Sequence, residues 1–127
     1  SFTNKKFSAI IVDIHAEATS EKIALRHFLN GKISALFGTH THVQTADGQI
    51  SSVGTAYLSD VGMTGQADGV IGIEASPIIA TFLTQIRQPH ALASAGRAIL
   101  NGVIITIDTT TARCLDITPI QREAFIE

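Results

Sequence analysis

Residues 7–42 read FSAIIVDIHAEATSEKIALRHFLNGKISALFGTHTH, and the fold prediction depends on this stretch. Phe7 to Ile14 is rich in β-branched residues and almost continuously apolar, which is typical of a strand covered on both faces of a parallel sheet. Thr19 or Ser20 can then cap a helix, and Ile33 to Phe37 forms a second apolar run. A strand, a helix and a strand within about thirty residues predict a βαβ unit with parallel strands.

The remainder of the chain continues the α/β pattern with shorter signals. We expect a third strand over Thr55 to Leu58 and a glycine-rich loop over Val61 to Gly72. A second helix should begin near Ser76. Val103 to Ile107 and Cys114 to Ile120 predict two further strands that pair as an antiparallel hairpin. The sequence therefore predicts an α/β fold that ends in antiparallel strands.

Length and charge limit the classes of function that the chain can have. Its 127 residues suit one domain, and a net charge of -2 argues against a long nucleic acid as partner. No apolar run approaches the ~20 residues of a membrane span, and a single cysteine fits a reducing, cytoplasmic compartment. Charged residues are only 16% of the chain, which starts at Ser1. We therefore expect residues 1–127 to be a single domain or part of a larger one, with association into a homo-oligomer as a further expectation.

Three of the five histidines lie where ligands bind in α/β proteins. His15 follows the first predicted strand, and His40 and His42 follow the second. Binding sites form beyond the carboxyl ends of parallel strands, and neighbouring strands lie about 5 Å apart. In an extended stretch His40 and His42 would point to the same face, so all three imidazoles could converge on a transition metal. The alternative is that these polar residues only occupy a loop and bond to its backbone.

Three histidines do not complete a two-metal hydrolytic site, because such a site also needs a bridging oxygen ligand. Asp13, Glu17 and Asp60 are the nearby carboxylates in the sequence. Glu17 is best placed to hydrogen-bond to a histidine ligand, and Asp60, at the end of the third strand, could reach the same edge. We expect Glu17, Thr39 and Asp60 to support the ligands or to border the substrate, and a capping role for the carboxylates stays open.

Three segments resemble the YmdB-type metallophosphoesterases. They are Asp13 to Lys22 (DIHAEATSEK), Gly38 to Asp47 (GTHTHVQTAD), and Gly54 to Tyr57 (GTAY) followed by Ser59 to Gly65 (SDVGMTG). The resemblance runs from about residue 8 to residue 120 and covers the C-terminal half of the family pattern. It implies the four-layer α/β sandwich of the calcineurin-like phosphoesterases and a dinuclear metal site.

The resemblance also implies an activity and an assignment of the three histidines to two metal ions. His15 and His40 would bind one metal and His42 the other, with iron or manganese as the metals. The reaction would be hydrolysis of cyclic nucleotides, including 2',3'-cyclic ones, by a metal-activated hydroxide. The family's N-terminal half supplies the remaining ligands and a general-acid histidine, and none of its motifs occurs here. We therefore expect this chain to hold at most half a site, with the N-terminal half of the same protein as its partner.

Two other interpretations of the sequence stay open. The chain can be read as a non-catalytic fragment that serves as a scaffold or an oligomerisation module, since low charge and exposed sheet edges favour association. It can also be read as a mononuclear hydrolase that uses His15, His40 and His42 with a water, because three histidines and an open position describe one type of catalytic zinc site.

Overall fold

The computed structural model describes residues 7–127, so residues 1–6 of the predicted domain lie outside the described part. The fold is mixed α/β, with two helices and two separate β-sheets. The elements in chain order are β1 (Ile11–His15), α1 (Thr19–Leu29), β2 (Ala35–Thr39), β3 (Gln49–Ile50), β4 (Ala56–Leu58), β5 (Thr64–Gln66), α2 (Ala75–Thr84), β6 (Gly96–Asp108) and β7 (Arg113–Ile126).

The first sheet has the strand order β1-β2-β4-β3. Strands β1, β2 and β4 are parallel, and β3 pairs with β4 in the antiparallel sense. The predicted βαβ unit is therefore confirmed. The pairing of β1 with β2 ends with His15 opposite Thr39. This register brings the histidines that follow the two strands to one point of the sheet edge.

One face of this sheet is covered by α1. Leu25 and Leu29 of the helix pack against a core of Ile33, Leu36 and Tyr57. Leu36 and Tyr57 are each 1% exposed, and full burial of an aliphatic core side chain of this size contributes roughly 1.5–3 kcal/mol. The helix starts at Thr19, and its first turn has no side-chain cap, so the predicted cap at Thr19 or Ser20 was wrong.

The second sheet, β5-β6-β7, covers the other face of the first sheet. Ala35 and Ala56 pack there against Cys114 of β7, with Ile105 and Ile117 alongside. Burial raises the pKa of the Cys114 thiol, which suits a packed and unreactive group. The hairpin of β6 and β7 is confirmed. Its strands are longer than predicted because their pairing continues on both sides of the central apolar positions.

Three local features add to or differ from the prediction. The glycine-rich loop over residues 61–72 contains the short strand β5, which pairs with β6. The predicted second helix is confirmed as α2, which begins at Ala75, one residue before Ser76, and Phe82 on it is 72% exposed. Strand β1 is only half-buried on one face and exposed on the other, where Ile11 is 52% exposed, so the prediction of a strand covered on both faces was wrong.

Within residues 7–127, neither helix is long and apolar enough to cross a membrane. The layers that these residues form are α1, the mixed sheet and the antiparallel sheet. The four-layer sandwich implied by the resemblance stays a prediction.

Candidate metal centre

His15 and His40 meet where β1 and β2 end. The Nε2 atom of His15 lies 3.1 Å from Nδ1 of His40, and the two rings are edge to face with centroids 5.0 Å apart. On the other side of His15, Nδ1 lies 3.0 Å from the hydroxyl oxygen of Thr39. The hydroxyl fixes the orientation of the His15 ring, so that Nε2 faces His40. Thr39 thus contacts a candidate ligand, and its predicted role in support of the site stays a prediction.

The loop that carries His40 and His42 is not extended. His40 has a φ of 131° and His42 a φ of 65°, values that residues other than glycine rarely adopt. The prediction that the two side chains point to the same face of an extended segment was therefore wrong. A non-glycine residue in such a conformation costs on the order of 1–3 kcal/mol, and such residues cluster at functional sites.

Asp60 holds this loop in its conformation. Its Oδ2 atom accepts hydrogen bonds from the backbone N–H of Thr41 at 2.8 Å and from Nζ of Lys22 at 3.2 Å. Its Oδ1 atom accepts one from the backbone N–H of Gly62 at 2.9 Å. Burial acts to raise the pKa of Asp60, but these hydrogen bonds outweigh it and hold the pKa below its usual value. Asp60 is 0% exposed among the described residues, and its hydrogen bonds link α1, the histidine loop and Gly62.

Lys22 lies next to the candidate site, and the sequence reasoning missed it. The ion pair with Asp60 is almost fully buried, with the two side chains 2% and 1% exposed. A signal was available in the sequence, because Lys22 lies three and seven residues before Leu25 and Leu29. This spacing places the lysine on the buried face of α1. A charged residue at such a position indicates a buried partner.

His42 is held separately from the other two histidines. Its Nδ1 atom lies 3.0 Å from the carbonyl oxygen of Ile71. Since a carbonyl only accepts, Nδ1 carries the proton, and the lone pair of the neutral ring is on Nε2. A bond of this kind to the backbone is how histidine ligands are commonly oriented.

Not all of the predicted site residues lie close to one another in the structure. Among residues 7–127, no three His, Cys, Asp or Glu side chains lie close enough together to form a metal-binding group. A mononuclear site built from His15, His40 and His42 is therefore not assembled in this part of the chain. Glu17 is exposed in the segment before α1, and no hydrogen bond joins it to a histidine in the described part of the chain.

His15 and His40 supply imidazole nitrogens, which are ligands that suit transition metals such as iron. In the structure Nε2 of His15 and Nδ1 of His40 lie 3.1 Å apart. This separation suits a hydrogen bond with one proton between the two nitrogens, and that proton would have to leave before both nitrogens could bind a metal. The chemistry of the pair therefore fits part of a metal site.

Comparison with known proteins decides the family. The family described as YmdB-like protein matches residues 1–120. The chain belongs to this family. A curated YmdB-like relative, the 2',3'-cyclic-nucleotide 2'-phosphodiesterase of Bacillus subtilis (strain 168), is 48% identical over 113 residues, which is 89% of this chain and 42% of that protein.

Two solved structures have the same fold as this YmdB-like chain. A novel phosphatase of Mycoplasma pneumoniae matches with a TM-score of 0.86 and 38% identity over 94% of this chain and 42% of the other. A hypothetical protein from Thermus thermophilus matches with a TM-score of 0.85 and 42% identity over 94% and 46% of the two chains. The chain thus spans less than half the length of these relatives, whose names include a phosphodiesterase and a phosphatase.

Proposed function

We propose that this chain contributes part of a dinuclear metal site to a phosphodiesterase that hydrolyses cyclic nucleotides. The observation that carries the proposal is the 3.1 Å separation of His15 Nε2 and His40 Nδ1 at the carboxyl ends of β1 and β2. It is supported by the name of the Bacillus subtilis relative, a 2',3'-cyclic-nucleotide 2'-phosphodiesterase. In this proposal His15 and His40 hold one ion and His42 holds the other, with iron or manganese as the metals.

The chain's own residues orient the three histidines. Thr39 fixes the ring of His15, and the Ile71 carbonyl fixes the tautomer of His42. Asp60 holds the backbone between His40 and His42. When bound, two metal ions supply positive charge that polarises the phosphoryl oxygens and lowers the pKa of a water.

The remaining ligands and the general acid come, in this proposal, from a segment that corresponds to the other half of the relatives. Strand β1 is at the edge of its sheet among the described residues, and Ile11 of this strand is 52% exposed. A free edge and an apolar face are what a further strand of the same domain would cover. A reducing cytoplasm as the location is part of the same proposal, consistent with a single, buried cysteine.

The test is hydrolysis of 2',3'-cyclic nucleotides by the complete gene product. We expect His40→Ala to lower kcat/KM by about a hundredfold or more, since loss of one electrostatic stabiliser of a transition state costs about 10²–10³ in rate. His27→Ala is the matched control, because His27 is exposed on α1, away from the sheet edge. A His40→Ala enzyme with wild-type turnover would overturn the assignment. Absence of hydrolysis in the wild type, at any metal loading, would favour a scaffold role.

A further inference from the structure

A large apolar cavity lies directly beside His42. Its volume is about 550 Å³, and His42 is part of its wall, whereas small-molecule sites commonly measure about 300–1,000 Å³. The wall is formed by β5, the turn at residues 71–73 and the start of β6, and its side chains include Met63, Ile73 and Leu92. A molecule bound through a phosphate at the histidines would therefore have an apolar recess next to it.

Small residues keep the cavity open. A Cβ atom added at Gly96 would meet nothing within 4 Å, and one added at Gly65 would meet only the Cα of Gly72, at 3.8 Å. Ala95 and Ala98 also contribute to the wall. The open space therefore results from the absence of side chains at these positions.

Arg97 contributes a positive charge to the cavity wall, and two carboxylates balance that charge. The guanidinium of Arg97 donates to Asp68 Oδ1 at 2.7 and 3.0 Å and to Glu123 Oε1 at 3.0 Å. The cavity therefore favours an uncharged, largely apolar group over a second phosphate, because a bound anion would have to compete with two carboxylates for this cation.

Gln66 is part of the same wall, and its side-chain amide contains a buried acceptor. Its Oε1 atom is buried and has no hydrogen-bond partner among residues 7–127, and an unpaired buried acceptor costs about 1–3 kcal/mol. The final torsion of a glutamine side chain is broad, and a half-turn about it exchanges Oε1 with Nε2, so that Oε1 would leave its buried position and face the cavity. An N–H group in the cavity would then satisfy Oε1.

We propose that this cavity binds the planar base of a nucleotide substrate, with Oε1 of Gln66 accepting a hydrogen bond from an N–H of the base. The inference rests on the proposed function, because it places the phosphate of the same substrate at the histidines. It makes Gln66 a specificity-determining residue and the apolar wall the surface on which the ring packs.

The test measures binding of nucleosides, which carry no phosphate, to the complete gene product by saturation-transfer NMR at millimolar concentrations. Adenosine is compared with purine riboside, which has the same ring system and no N–H on the base. We expect purine riboside to bind about fivefold more weakly, the effect of one net hydrogen bond. Gln66→Leu should bind both nucleosides equally, and Gly65→Val, which fills the cavity, should weaken both. Gln49→Leu, at an exposed glutamine of β3, should keep the fivefold difference.

A measurement of stability distinguishes the proposed binding role of Gln66 from a purely structural role. Gln66→Leu removes an unpaired buried acceptor, so we expect its midpoint of urea denaturation to equal or exceed that of the wild type. Retained discrimination in Gln66→Leu, or no nucleoside binding by the wild type, would overturn the inference. If His40-dependent hydrolysis persists while nucleosides fail to bind, the base site alone is wrong. If nucleosides bind and no phosphodiester is hydrolysed, the proposed function alone is wrong.

Discussion

The Oδ2 atom of Asp60 accepts a hydrogen bond from the backbone N–H of Thr41 at 2.8 Å, and this bond links the end of β4 to the residue between the two loop histidines. His40 and His42 both have positive φ values, so the loop depends on such contacts to keep a costly conformation. A fully buried ion pair with Lys22 stabilises the carboxylate itself.

Replacement of Asp60 by alanine should strongly destabilise the protein. The change leaves the Lys22 ammonium buried without its partner and removes the acceptor for Thr41. Breaking a buried pair in this way costs about 3–5 kcal/mol. Urea denaturation of the complete protein measures the loss. Asp68→Ala is the control, because the side chain of Asp68 is 56% exposed in its ion pair with Arg97. Equal stability of the two variants would contradict the supporting role of Asp60.

Stability should decrease at acid pH partly through Asp47. Burial acts to raise the pKa of Asp47, but hydrogen bonds from Ser59 and Thr45 outweigh it and hold the pKa below the ordinary 3.8. A carboxyl group whose pKa is lower in the folded state stabilises the fold above the unfolded pKa. This contribution is lost as the pH falls through the folded pKa.

We expect Asp47→Asn to be less stable than the wild type at pH 7 by about 1–3 kcal/mol. The difference should shrink as the pH falls below the ordinary carboxyl pKa of 3.8 and then through the lower pKa of Asp47 in the folded protein. Denaturation curves recorded between pH 7 and pH 2 check both points. Asp13→Asn, at an exposed position of β1, controls for the loss of one negative charge. A constant difference between wild type and Asp47→Asn over this range would rule out the linkage.

Gly38→Ala should prevent normal folding around the candidate site. A Cβ atom at position 38 would lie 2.0 Å from the carbonyl oxygen of Ser59 and 2.8 Å from Cδ of Lys22, and the Ser59 backbone belongs to the segment that carries Asp60. Gly102→Ala is a matched control, since its Cβ would meet only the side chain of Ile120 at 3.5 Å. Circular dichroism and soluble yield compare the two. A Gly38→Ala protein as stable as Gly102→Ala would show that the packing between β2 and β4 is looser than described.

Features that depend on the local pattern of apolar residues could be predicted from the sequence. The apolar runs of β1 and β2 and the amphipathic segment between them predicted the parallel βαβ unit, and the register that pairs His15 with Thr39 follows from that unit. The exposure of Ile11 in β1 could not be predicted, because a continuous apolar run does not reveal which elements cover it. The neighbouring elements decide that, and among residues 7–127 β1 pairs with β2 alone.

The backbone conformation of the candidate site could not be predicted from local sequence patterns, for a different physical reason. The left-handed backbone at His40 and His42 is imposed by contacts with Asp60 and Ile71, which are distant in sequence. The burial of Lys22 could be predicted from its position on the apolar face of α1. The positions of the strand ends predicted that all three histidines converge, whereas the resemblance assigned His42 to a second metal. The structure brings His15 and His40 together and bonds His42 to Ile71 instead.

The ligand assignment is tested most directly by the metal content of the complete protein after loading with manganese, measured by elemental analysis. With two sites, one of which is held by His15 and His40, we predict two ions per chain in the wild type and in His27→Ala. We predict the loss of at least one of them in His40→Ala. A His40→Ala protein that binds as much manganese as His27→Ala would contradict the assignment of the histidines as metal ligands.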